Sequence, residues 1–481
     1  MRSNKMRSGL VAALLSCGVA AAPPNCCTKT IHRDVVVVGG GAAGAHAGVW
    51  LRDHGKSVLL IEKNDRLGGH TADYTDPVTG KVINVGVQAW MQYKDAFDFP
   101  KRMNVSTSGS MQFATLNYHY VDMKTGKPVE GWVSPGPDTL YPALQRYLTA
   151  LEKYEDMVLP GFFNFPKKGA DIPEDLLMPF GEFALKYNMS AAVPQIWDST
   201  AQGLADTMHV PALWVFQASG VPMVRALLGQ GAAAVPASGP LFELFEAVAK
   251  FLGGDVLYSS TVVSASRSPG KVTLRVRSGS GELTCVQAKR LVVAMEPTPE
   301  NMAPFALDDA ERAVFDKIEY STVYAGILRH PSLKSGQAYT NRSPLPGSTN
   351  YTVFPTAAQL GRMDWVGGTE DLFQFTAVGT EADTEESMKA LIARSIDNLI
   401  EAGTLARPEG GRGLTFSIFA NHGKMHARVS ADELRAGFVQ QQYALQGRRS
   451  TYYTGAAFSA GFSTVLWVYN DVLLPKVIEG I

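Results

Sequence analysis

The stretch Asp34–Gly44, DVVVVGGGAAG, decides the fold. A continuous β-branched run bounded by glycine reads as a strand buried on both faces. AAGAHAGVWLRDHG, residues 42–55, reads as a helix that opens on small residues and stops before Gly55. KSVLLIEK, residues 56–63, is a second buried strand. Strand, helix and strand with short connections form a βαβ unit with parallel strands. Gly39, Gly41 and Gly44, with Ala43 among them, have the spacing G-x-G-x-x-G. The first glycine permits the sharp turn out of the strand, the second lets a pyrophosphate approach the backbone, and the third lets helix and strand pack closely. The helix start then presents unpaired N–H groups and a partial positive charge to an anion. Glu62 closes the second strand, at about the 20-residue distance expected of an acid that accepts ribose hydroxyls. The unit is therefore expected to bind a dinucleotide.

EKNDRLGGHT, residues 62–71, narrows the choice of dinucleotide. Arg66, Gly68 and Gly69 form R-x-G-G. A cation there can neutralise pyrophosphate, and paired glycines let the backbone run against a bound cofactor. Nicotinamide dehydrogenases have no need of this second element. The combination resembles the FAD-dependent amine-oxidase-like flavoprotein superfamily, over most of the chain in order and most specifically at its two ends. His70 stands where many of those proteins carry Arg; it is expected to donate a hydrogen bond to a phosphate or to the ribityl chain. The resemblance implies that Gly86 in INVGVQAW passes near the flavin ring, with Asn84 replacing a common Asp. It also implies that Val262 in SSTVVSAS meets the adenine through its backbone, and that Ala294 in LVVAMEP lies near the pyrophosphate. YYTGAAFSAGFSTVLWVY, residues 452–469, resembles the closing flavin segment. There Gly455 would touch the cofactor, and Ser463, Thr464 and Val465 would start a helix aimed at the flavin N1–C2=O edge. Ala456 occupies the position where amine oxidases usually carry Asp or Glu. The closer likeness is to the fungal beta-cyclopiazonate dehydrogenase family, through RLGGHTADYTDPVTGKVINVGV, PEDLLMPFGEF and YYTGAAF. That likeness implies FAD-dependent oxidative tailoring of natural products such as alkaloids or terpenoids.

Size and charge set the frame. The chain has 481 residues, 46% apolar and 19% charged, enough for more than one core. Its 44 basic and 45 acidic side chains leave a net charge of -1, which argues against a nucleic-acid partner. Arg2, Lys5 and Arg7 precede GLVAALLSCGVAAA, and Pro23 and Pro24 follow. This reads as a secretory signal over residues 1–21, and it is too short to span a bilayer by the ~20-residue criterion. Sequons at Asn104, Asn188, Asn341 and Asn350 agree with a secreted glycoprotein. Cys26, Cys27 and Cys285 are too few for a disulfide scaffold. Pairing of the adjacent cysteines with each other is strained, and a bridge from one of them to Cys285 is the alternative. No metal-ligand spacing is present.

The expected fold is α/β: a discontinuous Rossmann-like FAD-binding domain built from residues 30–100, 236–300 and 440–481, with an α+β substrate domain from 101–235 and 301–439. Residues 134–235 carry helical stretches broken by proline, such as LYPALQRYLTALEKYEDMV and EDLLMPFGEFALKYN. PLFELFEAVAKFLG is expected as a helix, DVLYSSTVVSASRS as one strand, and KVTLRVRS and LTCVQAKRLVVAM as further strands. IEYSTVYAGILRH and LFQFTAVG suggest a second sheet, and ESMKALIARSIDNLIEAG an amphipathic helix.

The chemistry expected is hydride removal from a hydrophobic small molecule, with oxygen as the acceptor. His422 and His426 in FANHGKMHARV are weighed as bases, because an ordinary imidazole titrates near neutral pH; the bland alternative is a structural histidine. His422 is the candidate carried forward. Trp90 and Tyr453 are candidates for the substrate pocket, against ordinary core packing. With no Cys in the last third of the chain for a thioether link, FAD is expected to be non-covalent, a histidyl link being the alternative. Rival readings are a double-bond isomerase acting on a fatty-acid-like substrate, an amine oxidase, and a non-catalytic flavin-bound binding protein.

Overall fold

The computed structural model describes residues 27–109, 115–367, 372–408, 410 and 413–481. The stretch read as a signal, and Cys26, lie outside the described residues. Val35–Val38 are at most 6% exposed. They pair in parallel with Val58–Ile61 on one side and with Arg290–Val293 on the other. These strands belong to a seven-stranded sheet. Lys271–Ser278 runs antiparallel to Leu283–Val293, Ser260–Ser268 runs antiparallel to Lys271–Ser278, and Thr451–Tyr453 lies parallel to Leu291–Val293. The single strand expected in DVLYSSTVVSASRS is two. Val256–Leu257 joins Val58–Ile61 in parallel, Ser259 turns the chain at φ +46°, and Ser260–Ser268 then starts afresh.

The first and last described segments meet at this sheet. The helix Ala42–Asp53 follows the first strand, and the helix Ser463–Ile478 follows the last. Asn470, fully buried, donates from Nδ2 to the Ala43 carbonyl at 2.7 Å. Its Oδ1 accepts from Thr454 Oγ1 at 2.6 Å. Each such buried bond stabilises by about 1 kcal/mol, and an orphaned partner would cost more. One amide thus locks the first helix to the loop that carries Gly455. Cys27 and Cys285 form a disulfide that joins the start of the first strand to the start of Leu283–Val293.

A second sheet of six strands has the order Thr415–Arg428, Glu319–Arg329, Phe373–Gly379, Gln359–Trp365, Gln337–Asn341, Asn117–Val121. Its last pair is parallel and the rest antiparallel. Two of these strands correspond to those expected. The amphipathic helix is Glu385–Glu401, opened by a Thr384–Ser387 capping box. The proline-broken middle gives Pro137–Glu152 and a series of short helices, including Phe180–Lys186 and Ala212–Ala218.

Two expectations are corrected by burial. Tyr453 is 1% exposed and is not part of the wall of the large cavity described below. Its hydroxyl donates to Glu311 Oε1 at 2.6 Å. Glu311 also accepts from Arg267 Nη1 and Nη2 at 2.6 and 2.9 Å, and Arg267 Nε donates to the Phe305 carbonyl. Arg267 and Glu311 side chains are 0% and 1% exposed, so the tyrosine belongs to a buried ion pair. Asn341 is 4% exposed; its Nδ2 donates to Gln359 Oε1 and its Oδ1 accepts from the Met123 N–H. A glycan would need that nitrogen, so this sequon is closed in the folded chain. Asn104, Asn188 and Asn350 are exposed.

Without Arg267 the buried Glu311 carboxylate keeps one cation, Arg449 Nη1 at 3.2 Å. Arg267→Met is therefore expected to lower stability by about 3 kcal/mol, the low end for breaking a buried pair. A denaturation midpoint unchanged from wild type would contradict this.

Candidate active site

The strands Lys29–Val38, Val58–Ile61, Leu283–Val293 and Thr451–Tyr453 end side by side, and their connecting loops collect at that edge. The Gly39 N–H donates to the Ile61 carbonyl, Ala294 to Val38 and Thr454 to Val293. Open α/β sheets bind ligands outside the carboxyl ends of their strands. The loops there lie backbone against backbone. A Cβ at Gly44 would sit 1.8 Å from the Gly39 carbonyl oxygen, and one at Gly69 would sit 2.7 Å from the Gly41 Cα. Glu62 is 4% exposed. Its Oε2 accepts the Gly40 N–H at 2.6 Å and its Oε1 the Asn64 N–H at 2.8 Å. The carboxylate is thereby fixed beneath the glycine loop with lone pairs left over. The helix Ser463–Ile478 opens after Phe462 with no side-chain cap. Thr464 Oγ1, in its first turn, is buried without a partner. Val465 is fully buried.

A cavity of about 970 Å³ starts at this helix end. It is bounded by Ala456, Phe462 and Ser463 on one side and reaches Tyr118, Tyr120 and Arg362 on the second sheet. Trp90 lines it and packs edge-on against Trp467, with ring centroids 5.7 Å apart. His70, Gly86, His422 and His426 also line it. A Cβ at Gly86 would lie 2.5 Å from His422 Nε2, so only a glycine leaves room for that ring. The His70 and His422 rings are 5.4 Å apart. Burial, the first cause in each case, holds His70 down to about 4, with Lys63 adding to it. It holds His422 down to about 3 and His426 down to about 4. All three imidazoles are neutral at neutral pH. Glu296 lines the same cavity, and burial pushes its carboxyl up to about 7.

The structure brings together most of the residues picked from sequence. Gly39, Gly41, Ala43, Gly44, Glu62, Gly68, Gly69 and Ala294 are in the loops at the sheet edge or pack on them; His70, Gly86, Trp90, His422 and Ser463 border the cavity. Val262 stays in the sheet, 8% exposed, paired with Val276 beside a register shift. Arg66 lies over the Phe242 ring at 3.7 Å and pairs with Asp73 at 3.2 Å. Glu296 and Arg362 also line the cavity and are not among the residues picked from sequence. Glu296 carries a readable signal: an acid just past a buried strand, in LVVAMEP, where a parallel sheet presents its binding edge.

An NAD(P)-binding Rossmann-like domain model matches residues 37–103. The chain is 33% identical over 465 residues to the FAD-dependent oxidoreductase pigF of Monascus ruber, covering 94% of this chain and 93% of that protein. It is 32% identical over 453 residues to the beta-cyclopiazonate dehydrogenase of Aspergillus flavus, covering 93% of each. The chain belongs to the beta-cyclopiazonate dehydrogenase family. Like pigF, it is an FAD-dependent oxidoreductase. Among solved structures, the CLA-producing fatty acid isomerase from P. acnes superposes with a TM-score of 0.70 at 17% identity, over 95% of this chain and all of that one. A putrescine oxidase variant superposes with a TM-score of 0.60 at 16% identity, over 94% of this chain. Both likenesses place this family member in the amine-oxidase-like fold.

The residues present fit FAD. The side-chain-free cradle, the buried Glu62 carboxylate, the uncapped helix end and the unpartnered Thr464 hydroxyl supply the groups a flavin dinucleotide requires. Gly69→Ala adds a Cβ at a backbone with φ +58° and 2.7 Å from Gly41. It is expected to weaken FAD binding at least about tenfold, or ~1.4 kcal/mol. Titration followed by flavin fluorescence checks this, and wild-type affinity in the variant would contradict it.

Proposed function

We propose that the protein removes a hydride from a hydrophobic small molecule as a tailoring step in fungal secondary metabolism, on a terpenoid or alkaloid skeleton. The observation that carries this reading is the cavity. Its about 970 Å³ has room for a flavin ring at the Gly86 and Ser463 end and for a small molecule beyond it, where Trp90, Met91, Trp214, Met223 and Leu227 supply apolar walls. The relatives' names, oxidoreductases and a dehydrogenase acting on beta-cyclopiazonate, support the reaction type.

When bound, FAD supplies a two-electron acceptor for hydride. The chain's own residues would do the rest. Gly39, Gly41, Gly44 and Gly69 would admit the diphosphate to the backbone, and Glu62 would accept the ribose hydroxyls. The opening turn of Ser463–Ile478 would stabilise negative charge through its free N–H groups. The aromatic walls would orient an apolar substrate and exclude water. Dioxygen is the proposed final acceptor. Passage through the secretory pathway is proposed as well, supported by the Cys27–Cys285 disulfide and three exposed sequons. Among the described residues, no helix is long and apolar enough to cross a membrane.

Two measurements test this reading. Anaerobic FAD-loaded protein mixed with a panel of hydrophobic fungal metabolites, beta-cyclopiazonate included, is expected to lose its visible flavin absorbance. Admitting oxygen is expected to restore it with oxygen uptake. A product isomeric with its substrate and formed without uptake would favour isomerisation; a flavin no compound reduces would favour a binding protein. In secreted material, N-glycosidase is expected to release glycans from Asn104, Asn188 or Asn350 and none from Asn341. A glycan at Asn341 would contradict the buried placement.

A further inference from the structure

Two carboxylates line the cavity, Asp198 and Glu296. Asp198 is already committed, because its oxygens accept Arg342 Nη1 and Nη2 at 2.9 and 2.7 Å. Glu296 differs. Its Oε2 is buried and has no hydrogen-bond partner. Its backbone carbonyl, by contrast, is held twice, by Asn301 Nδ2 at 2.8 Å and by the Thr298 N–H at 2.9 Å. The peptide is fixed while the carboxyl is left free at the cavity wall. A buried polar atom without a partner needs an explanation, and a functional role is one.

Its position is set by the binding edge itself. Ala294, two residues earlier, is the residue whose carbonyl a Cβ at Gly39 would meet at 2.8 Å. It is also the nearest neighbour, at 4.0 Å, of a Cβ at Gly455. The strand thus delivers Glu296 between the opening and closing loops. The other titratable groups are poor proton acceptors or are engaged. His422 Nε2 is also buried without a partner, but it lies against the backbone of Gly86, where a Cβ would come within 2.5 Å of it; burial holds His70, His422 and His426 neutral and weakly basic. The Tyr320 hydroxyl is buried, lacks a partner and is held protonated by burial and by the charge of Glu296. Lys424 pairs with Glu300 and Glu381. Arg362 pairs with Asp364.

We propose that Glu296, and not His422, is the catalytic base that takes the proton the substrate gives up. This rests on the oxidoreductase reading above. A substrate C–H hydrogen leaves with its electron pair for the bound FAD, while an O–H or N–H proton passes to the Glu296 carboxylate. The C–O or C–N bond becomes double. Dioxygen then takes up the electron pair with that hydrogen and the proton held on Glu296, giving hydrogen peroxide and restoring the carboxylate. A base that titrates near the working pH is best matched to this task, and Glu296 is pushed up to about 7.

The test uses FAD-loaded wild type and Glu296→Gln, a change that keeps shape and FAD absorbance. Without substrate, infrared difference spectra across a pH series are expected to show a carboxylic acid band that disappears with a midpoint near 7, and its absence in the variant. With a compound that bleaches the wild-type flavin, the bleaching rate is expected to rise with pH through the same midpoint, because ionisation creates the base. Glu296→Gln is expected to bleach at least about a hundredfold slower and to lose that dependence, while Glu296→Asp recovers part of both. The proposal is overturned if no such band exists, or if the pH limb survives in Glu296→Gln and vanishes in His422→Asn. A wild-type flavin that no compound bleaches sinks the proposed function and this role with it. A flavin that wild type and Glu296→Gln bleach alike sinks this role alone.

Discussion

Close approach of backbone to backbone at one edge of the large sheet is the constraint on which the rest depends. Where Gly44 meets the Gly39 carbonyl and Gly69 meets Gly41, a single methyl group has no space. The same absence of side chains brings N–H groups within reach of an anion, which side chains would otherwise hold off. Asn470 couples this edge to the other end of the chain, so the first and last segments form one cradle although some 427 residues separate that bond's partners.

Beyond the cradle, the electrostatics of the cavity follow from burial. Ionisable groups placed in a water-poor cleft shift toward their neutral forms. The three imidazoles therefore lose basicity while the Glu296 carboxyl gains it. That inversion matters because histidine is the default choice for a base when only a sequence is in hand. Here the desolvation that disables the histidines makes the carboxylate the better proton acceptor.

Much of the cradle was legible in the sequence because it is encoded locally. Val35–Val38 and the glycines after them specify a buried strand and a tight turn within eleven residues. The second sheet was harder. Thr415–Arg428 is half-buried along its length and mixes polar with apolar residues, so alternation is blurred. Asn117–Val121 and Gln337–Asn341 are short and pair across 220 residues, a contact no local pattern announces. Tyr453 was a pocket candidate beside the closing flavin segment, with core packing as the alternative; the partner that decides for the core, Glu311, lies 142 residues away. Glu296 went unread for a related reason: its motif was seen, but the solvent exclusion that gives the acid its character is a property of the assembled cavity.

The glycine cradle and Glu62 are proposed to hold the adenosine half of FAD, and the last helix to receive the flavin half. Calorimetric titration of flavin-stripped protein with FAD and, separately, with FMN tests this most directly. One FAD per chain is expected, bound more than about tenfold tighter than FMN, a gap of ~1.4 kcal/mol or more. Equal affinity for the two, or no binding of FAD, would contradict this.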